Sequence, residues 1–398
     1  MSAARINNAE LMAPPVALTI QRRSLIVGVI FAIIGIIFAF INPDQFFRSY
    51  LLGFMAWLGL TLGCMSFLML HHLTGGKWGM VVRRPLEAAI STLPLLAVLF
   101  IPLIIGMRHV YVWTDAAAMA QDAHLKDLTH SYLTPTGFVW RGIVYFVIWM
   151  LLAWRLNKVS AEQDHPPVRN LSPRFRNIAG PGLVIYSFSM SFAVIDWVMS
   201  LTPPWISTIY AMIYLVGQFL SAVCFMVVVE RIFFPYKPVS SYLKPKEVQD
   251  HGKLMLTFIM LWAYFSFSQL LIIWAGNLPD EITFYTRRFH HGWEYVGLFL
   301  IAFHFAVPFA ILLSRSLKRD PRRLVWVAVW VIFMRYVDLY WFIEPNFHQQ
   351  FYWHFLDAVV PVAIGGFWLS LFFRNVRRRP LLPQYDPHAI ELLELVHD

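Results

Sequence analysis

Ten long apolar stretches constrain what this 398-residue chain can fold into. They lie at 24–41, 51–70, 86–106, 137–154, 181–200, 207–229, 254–275, 293–313, 324–343 and 355–373. Each is close to the ~20 residues that a helix needs to cross the hydrocarbon core of a bilayer. The stretches are too uniformly apolar for the alternating strands of a membrane barrel. The sequence therefore predicts an all-α polytopic membrane protein with about ten transmembrane helices.

Lysine and arginine residues are distributed unevenly between alternate loops. If successive loops alternate between two sides, 25 of the 32 lysines and arginines lie on one side and 5 on the other, and only Arg141 and Arg335 fall at or inside the stretches. This is the positive-inside pattern, and it predicts that both termini are cytoplasmic. We expect a cytoplasmic segment at 1–23, one membrane domain at 24–373 without internal repeats, and a cytoplasmic tail at 374–398. The tail contains an amphipathic run, 389–396, that predicts a short docked helix.

Composition excludes several classes of function. Only 14% of the residues are charged, against about 25% in soluble domains. Because the basic residues cluster at span ends on one side, the net charge of +9 indicates contact with anionic lipid and not with nucleic acid. The two cysteines, Cys64 and Cys224, lie inside apolar stretches and form no C-x-x-C motif. We therefore expect no iron–sulfur cluster, structural metal or covalent haem in this chain.

Asp196, Arg335 and Asp338 lie inside the spans, where a charge costs at least ~2.5–3.5 kcal/mol and marks a functional candidate. Asp196 shares a helical face with Ser189, Ala193 and Ser200, so it is expected to point into the bundle, although a position near the headgroups is the alternative. Arg335 and Asp338 are three residues apart and can pair on one helix. They form either a structural ion pair or a functional site in which Arg335 also holds Asp196 or a ligand oxygen.

Uncharged and histidine side chains complete the set of candidates. His304 lies midway along the eighth stretch, as a packing residue or a proton-transfer group. No second histidine lies at comparable depth, so a haem between spans is not expected. Gln218 and Gln269 fit hydrogen bonding between helices, with a site role as the alternative. Pro94, Pro102 and Pro308 predict kinks within their spans.

Two rims carry further candidates. At the basic side, His71 and His72 end the second stretch and are a possible entry point for protons, whereas Arg83 and Arg84 are interpreted as lipid anchors. The Gly-Gly-Lys at 75–77 lacks the spacing of a phosphate-binding loop. At the opposite side we place His290, His291, Glu294 and Arg141, which opens the fourth stretch.

Several runs resemble a known family. They are Asp196-Trp-Val-Met-Ser-Leu-Thr-Pro-Pro-Trp, Leu261-Trp-Ala-Tyr-Phe-Ser-Phe-Ser-Gln, Met334-Arg-Tyr-Val-Asp-Leu-Tyr-Trp, His71-His-Leu-Thr-Gly-Gly-Lys-Trp and Arg379-Pro-Leu-Leu-Pro. Together they resemble the second NrfD-like subunit, the ActF type, of bacterial alternative complex III. The resemblance covers nearly the whole chain, including the ten-span layout.

The resemblance implies a multi-pass subunit of the bacterial cytoplasmic membrane, built of two four-helix bundles plus flanking helices. Such a complex oxidises quinol in respiratory or photosynthetic electron transport and passes electrons outward. It implies partners: an NrfD-like sister subunit, an iron–sulfur subunit, haem c subunits, small membrane subunits and in some cases a terminal oxidase. Haem and iron–sulfur clusters are expected only in those partners, while this chain contributes a quinone pocket, a proton path, or both.

From the residues we expect a proton relay from His71 and His72 through His304 towards Asp196, Arg335 and Asp338. Two other functions stay open. The chain is a structural anchor if every buried polar group is neutralised by a neighbour. It is a secondary transporter if matching broken helices form a substrate site, but the sequence shows no such symmetric pair.

Overall fold

The computed structural model describes residues 11–115, 119, 132–203, 205–237 and 239–394, with side chains up to 391. Helices account for 82% of the structure, and no strand occurs in these ranges. The prediction of an all-helical polytopic membrane protein is confirmed. The predicted tail helix is seen as Pro387–Glu394, and residues 395–396 of the predicted run lie outside the described residues.

Ten helical spans are long and apolar enough to cross a membrane, and we number them α1–α10. Their bounds are α1 Val16–Ile41, α2 Pro43–Thr74, α3 Lys77–Ile105, α4 Pro135–Asp164, α5 Ser172–Leu201, α6 Thr208–Phe233, α7 Pro245–Gly276, α8 Trp293–Leu312, α9 Pro321–Asn346 and α10 Leu356–Val376. Every predicted stretch lies largely within one of them. Several helices begin earlier than their apolar run. In α2, the Asn42 side chain accepts from the Gln45 N–H (3.2 Å) and Pro43 occupies the first turn, which stabilises a polar start.

Prolines interrupt two spans, as predicted. The α3 span consists of Lys77–Ile90, Leu93–Leu99 and Ile101–Ile105, with Pro94 and Pro102 in the first turns of the later segments. The Tyr50 hydroxyl of α2 donates to the Leu99 carbonyl beside the second break (2.7 Å). In α8, residues Ile301–Ala306 form a π-helical segment directly before Pro308. Proline has no backbone N–H to donate, so the helical hydrogen bonds in the preceding turn must rearrange.

The core lies along α2 and α6, which are the two most buried spans. Helix α2 packs against α3, α5, α6 and α10, and α6 packs against α2, α5, α7 and α9. Small residues permit close approach: a Cβ on Gly63 would lie 2.0 Å from the Gln218 carbonyl oxygen. A Cβ on Gly366 of α10 would likewise lie 2.3 Å from the Cα of Gly28 in α1. Such contacts replace the hydrophobic driving force that lipid does not supply.

Eight helices pack as two consecutive sets of four. In the first group, α2–α5, each helix contacts the next, and α5 returns to α2; the second group, α6–α9, repeats this order. Helices α1 and α10 pack on each other and against α2. The tail returns to the end where α1 begins, because Leu381 N–H donates to the Leu11 carbonyl (2.8 Å) and Tyr385 N–H to the Gln163 carbonyl (3.0 Å). We call this the basic end and the other side the opposite end.

Candidate functional site

Asp196 of α5 is fully buried and pairs with Arg141 of the neighbouring α4. Arg141 Nε lies 2.9 Å from Oδ2 and Nη2 lies 2.9 Å from Oδ1, and the Tyr145 hydroxyl donates to Oδ2 at 2.7 Å. The Asp196 side chain is 0% exposed, whereas that of Arg141 is 25% exposed. The predicted bundle-facing orientation of Asp196 is therefore correct. The arginine continues from this buried carboxylate to the surface at the opposite end.

The surroundings of this pair fix its geometry. The Arg141 guanidinium carbon lies 4.0 Å from the centre of the Tyr132 ring, and Nη1 donates to the Tyr132 carbonyl (3.1 Å). The Trp197 ring is enclosed by aromatic residues, with Tyr145 and Trp149 at 5.9 and 6.0 Å between ring centres. Because both sides of the pair are packed, the carboxylate and guanidinium are held in a fixed orientation.

Arg335 and Asp338 form the second buried pair, as their spacing predicted. Arg335 Nη1 contacts Asp338 Oδ2, and the two side chains are 5% and 1% exposed. The Trp262 indole of α7 donates to the same carboxylate oxygen (3.1 Å). The guanidinium packs against α6, where a Cβ on Gly217 would lie 2.1 Å from its central carbon. The structure gives Asp196 a different partner, Arg141, so the hypothesis that Arg335 holds Asp196 is wrong.

His304 of α8 lies beside this second pair. Its ring is fully buried and meets the Trp262 ring edge to face, with 4.3 Å between centres. Within the described part of the chain, neither ring nitrogen has a hydrogen-bond partner. The same holds for both amide atoms of buried Gln269 in α7. The interior of the second group therefore contains polar atoms that can still accept or donate a hydrogen bond.

Gln218 has a structural position, as one of its two interpretations predicted. Its side-chain oxygen accepts from the Tyr186 hydroxyl of α5. A Cβ on Gly59 of α2 would lie 3.5 Å from its Cγ. Gln218 thus joins α2, α5 and α6 where the two groups meet.

A buried ionic network lies at the basic end of the first group. Arg83 Nε lies 2.9 Å from Glu87 Oε1 and its Nη1 2.8 Å from Asp386 Oδ2, while Arg84 Nη1 lies 2.8 Å from Glu87 Oε2. Ser160 donates to Glu87 at 2.6 Å. Arg83 and Arg84 are only 1% and 4% exposed. The interpretation of these arginines as lipid anchors is wrong, because their charges are matched by carboxylates inside the protein.

His71 and His72 lie at the edge of this network. The His72 ring stacks on Phe175, with 4.0 Å between centres and 7° between planes. The His71 ring meets the Trp78 ring edge to face (5.4 Å). Both histidines are buried, and their role as a proton entry stays a prediction.

A fourth buried cluster was not found from the sequence. His251 of α7 places Nδ1 2.8 Å from Glu230 Oε1 of α6, and its Nε2 lies 2.9 Å from the Trp78 carbonyl oxygen. Both side chains are buried, at 0% and 3% exposed. Each residue ends or begins a span among loop charges, so hydropathy did not separate them from surface residues.

The rim candidates at the opposite end are dispersed. His290 and His291 are exposed, and Glu294 accepts from the Gly292 N–H (2.9 Å), capping the start of α8. The adjacent Arg288, which sequence reasoning treated as a loop residue, is 0% exposed. It donates to the carbonyls of Phe284 and Phe342, each at 2.8 Å. Burial lowers the pKa of Arg288 to about 10, and these carbonyls compensate for part of its lost hydration.

Buried acidic residues occupy similar positions in the two four-helix groups. Each group has a buried acid near the opposite end on its fourth helix, Asp196 or Asp338, and a buried acid at the basic end, Glu87 or Glu230. In the described ranges, no three His, Cys, Asp or Glu residues are placed to hold a metal ion. The arrangement is suited to holding a polar ligand or transferring protons.

No protein-family model matches the chain, and no curated protein does either.

Proposed function

We propose that this chain is an integral membrane subunit of a quinol-oxidising complex of the alternative complex III type. Its place is that of the second NrfD-like, ActF-type subunit in the bacterial cytoplasmic membrane. Support comes from the quoted sequence runs, the ten spans and the packing order. Two sets of four helices with α1 and α10 beside them correspond to the two bundles and flanking helices that the resemblance implies.

The observation that carries the proposal is the Arg141–Asp196–Tyr145 arrangement. Burying a carboxylate at this depth is costly, and such groups mark ion or proton pathways in membrane proteins. Asp196 is closed to solvent, yet its partner Arg141 is one-quarter exposed. A proton or a quinol hydroxyl that reached Tyr145 and Asp196 would therefore meet a preformed hydrogen-bonding site connected to the opposite end.

The second group supplies the remaining steps of a proposed proton path. His251 and Glu230 lie at the basic end, His304 lies midway, and Asp338 lies in the opposite half. Trp262 contacts both His304 and Asp338. His251 and Glu230 supply titratable groups in the basic half, where the relay expected from the sequence had few. Intervening water would carry the proton between these groups.

Orientation and partners follow from the charges. We infer that the basic end is cytoplasmic by the positive-inside rule. The opposite end then faces the iron–sulfur and haem c subunits, which hold the redox centres. The chain contributes a quinone pocket, a proton path or both.

Purification from native membranes tests this function. A tagged chain solubilised in mild detergent should bring with it subunits that contain c-type haem and iron–sulfur clusters, and the preparation should oxidise quinol. Mass spectrometry, haem spectra and quinol-dependent reduction of an acceptor measure these properties. The chain purifying without redox subunits contradicts the proposal. Saturable solute uptake by liposomes containing only this chain would instead favour a transporter.

A structural anchor in the same complex is the second candidate. It is favoured by one observation: both oxygens of Asp196 are hydrogen-bonded, and Asp338 has a direct arginine partner. The paired substitution Arg335→Met with Asp338→Leu removes both charges together. Quinol oxidation at the normal rate in the assembled variant complex would favour the anchor, whereas loss of turnover would favour a functional pair.

A further inference from the structure

A groove of about 420 Å³ opens between α4 and α5 at the basic end. Three of its lining side chains are cationic, namely Arg155, Lys158 and Arg174. Trp154 and Ile178 line its apolar part. The groove is separate from the buried ionic pairs described above, so its charges are not required for their neutralisation.

The cations of the groove are only partly neutralised. Arg174 lies 2.5 Å from Glu162 Oε2 and donates to Oε1 at 3.1 Å. In the described ranges, neither Arg155 nor Lys158 forms an ion pair within 4 Å, although Glu162 lies close enough to Lys158 to interact with it electrostatically. Lys158 instead lies over the Trp154 ring, with Nζ 4.9 Å from its centre. The charge of Arg155 and part of the charge of Lys158 are therefore available for an anion.

Exposed apolar side chains continue from the groove along the two helices, and we call them the α4–α5 apolar strip. On α4, Leu151 and Val147 are one and two turns from Trp154 and are 53% and 45% exposed. On α5, Ile185 and Phe188 are two and three turns from Ile178 and are 44% and 65% exposed. Residues at these spacings lie on one helical face. The apolar strip therefore runs from the basic groove towards the hydrocarbon region.

We propose that the groove binds the headgroup of an acidic phospholipid whose acyl chains lie along the α4–α5 apolar strip. The phosphate would contact Arg155, Lys158 and the remaining donors of Arg174. Tryptophan and lysine side chains at a span end suit the boundary between headgroups and hydrocarbon. A soluble phosphate would use the cations but not the apolar strip, and an acidic protein segment would not need apolar side chains that extend to membrane depth.

Native mass spectrometry of the purified complex in mild detergent tests the site. Phosphatidylglycerol and phosphatidylcholine with identical acyl chains are titrated against the unaltered chain and the variant Arg155→Gln with Lys158→Gln. We expect the unaltered protein to prefer phosphatidylglycerol. The variant should lose affinity on the order of fivefold for each removed cation, since a basic residue at a membrane surface contributes about that factor.

The matched control is Arg22→Gln with Arg23→Gln. These arginines are exposed at the same end but do not line the groove, so the tightest phosphatidylglycerol should remain bound. Equal phosphatidylglycerol affinity in the groove variant and the unaltered protein overturns the proposal. Displacement of that lipid by millimolar inorganic phosphate would identify a free-phosphate site. Loss of a protein subunit without loss of lipid would assign the groove to a protein partner.

Discussion

Each of the two four-helix groups neutralises a buried aspartate with an arginine, but the position of the arginine differs. The first group pairs Asp196 with an arginine on the neighbouring helix, and that arginine is 25% exposed. The second group pairs Asp338 with Arg335 on the same helix, and both are at most 5% exposed. The first pair is therefore in contact with the opposite surface, whereas the second is sealed between α6, α7 and α9. In the proposed function, this difference makes Asp196 the carboxylate that is closer to a ligand or proton from outside.

The sealed pair gives the largest expected effect on stability. Asp338→Leu leaves the buried Arg335 without its counter-charge and Trp262 without its acceptor. Breaking such a pair costs about 3–5 kcal/mol, whereas replacing both members by apolar residues is often close to neutral. We expect Asp338→Leu to lower the thermal unfolding midpoint of the purified protein strongly. Arg335→Met with Asp338→Leu should recover most of the loss, and no recovery would contradict a simple ion pair.

The Arg141–Asp196 pair should be less sensitive to the loss of its arginine. Arg141→Gln leaves Asp196 with its Tyr145 bond and with access for water along the site of the lost guanidinium. We expect a cost of about 1–3 kcal/mol, the range for an incompletely satisfied buried polar group. The thermal unfolding midpoints of Arg141→Gln and Asp338→Leu, measured side by side, check that Asp338→Leu causes the larger loss of stability. A larger loss for Arg141→Gln would show that the contrast in exposure does not control stability.

Packing around Arg335 gives a smaller effect. Gly217→Ala places a methyl group 2.1 Å from the central carbon of the guanidinium, whereas a Cβ on Gly276 meets nothing within 4 Å. Overpacking of a closed site costs about 1–3 kcal/mol. Gly217→Ala should lower the unfolding midpoint, and Gly276→Ala should leave it within error. Equal midpoints for the two variants would mean that α6 and α9 can separate without cost.

The sequence was sufficient for the features that depend on local pattern. Apolar length located the ten spans, and Pro94 and Pro102 located the breaks in α3. The i, i+3 spacing found the Arg335–Asp338 pair because both residues are on one helix. The burial of Asp196 followed from the small and polar residues on its face.

Contacts between residues on different helices could not be predicted from the sequence pattern in the same way. Arg141 and Asp196 are 55 residues apart, and nothing in either run identifies the other as a partner. Arg83 and Arg84 were misinterpreted although Glu87 lies on the same helix, because their burial depends on Asp164 at the end of α4 and on Asp386 of the tail, which folds back on the basic end. Arg288 and the Glu230–His251 pair were hidden for a related reason: hydropathy assigns charges near span ends to loops, although the structure buries them.

The central claim is that Asp196 takes part in quinol chemistry or proton transfer and is not only a structural residue. Its most direct test is the quinol oxidation rate, with proton movement in proteoliposomes, of the assembled Asp196→Asn complex. Asp357→Asn is a matched control, because Asp357 is also a buried carboxylate near the opposite end, bonded to Ser49 at 2.6 Å, but belongs to α10. We predict a loss of about 10²-fold or more for Asp196→Asn, as for removal of a positioned proton-transfer group, and near-normal rates for the control. An assembled Asp196→Asn complex that works at the normal rate would contradict the claim.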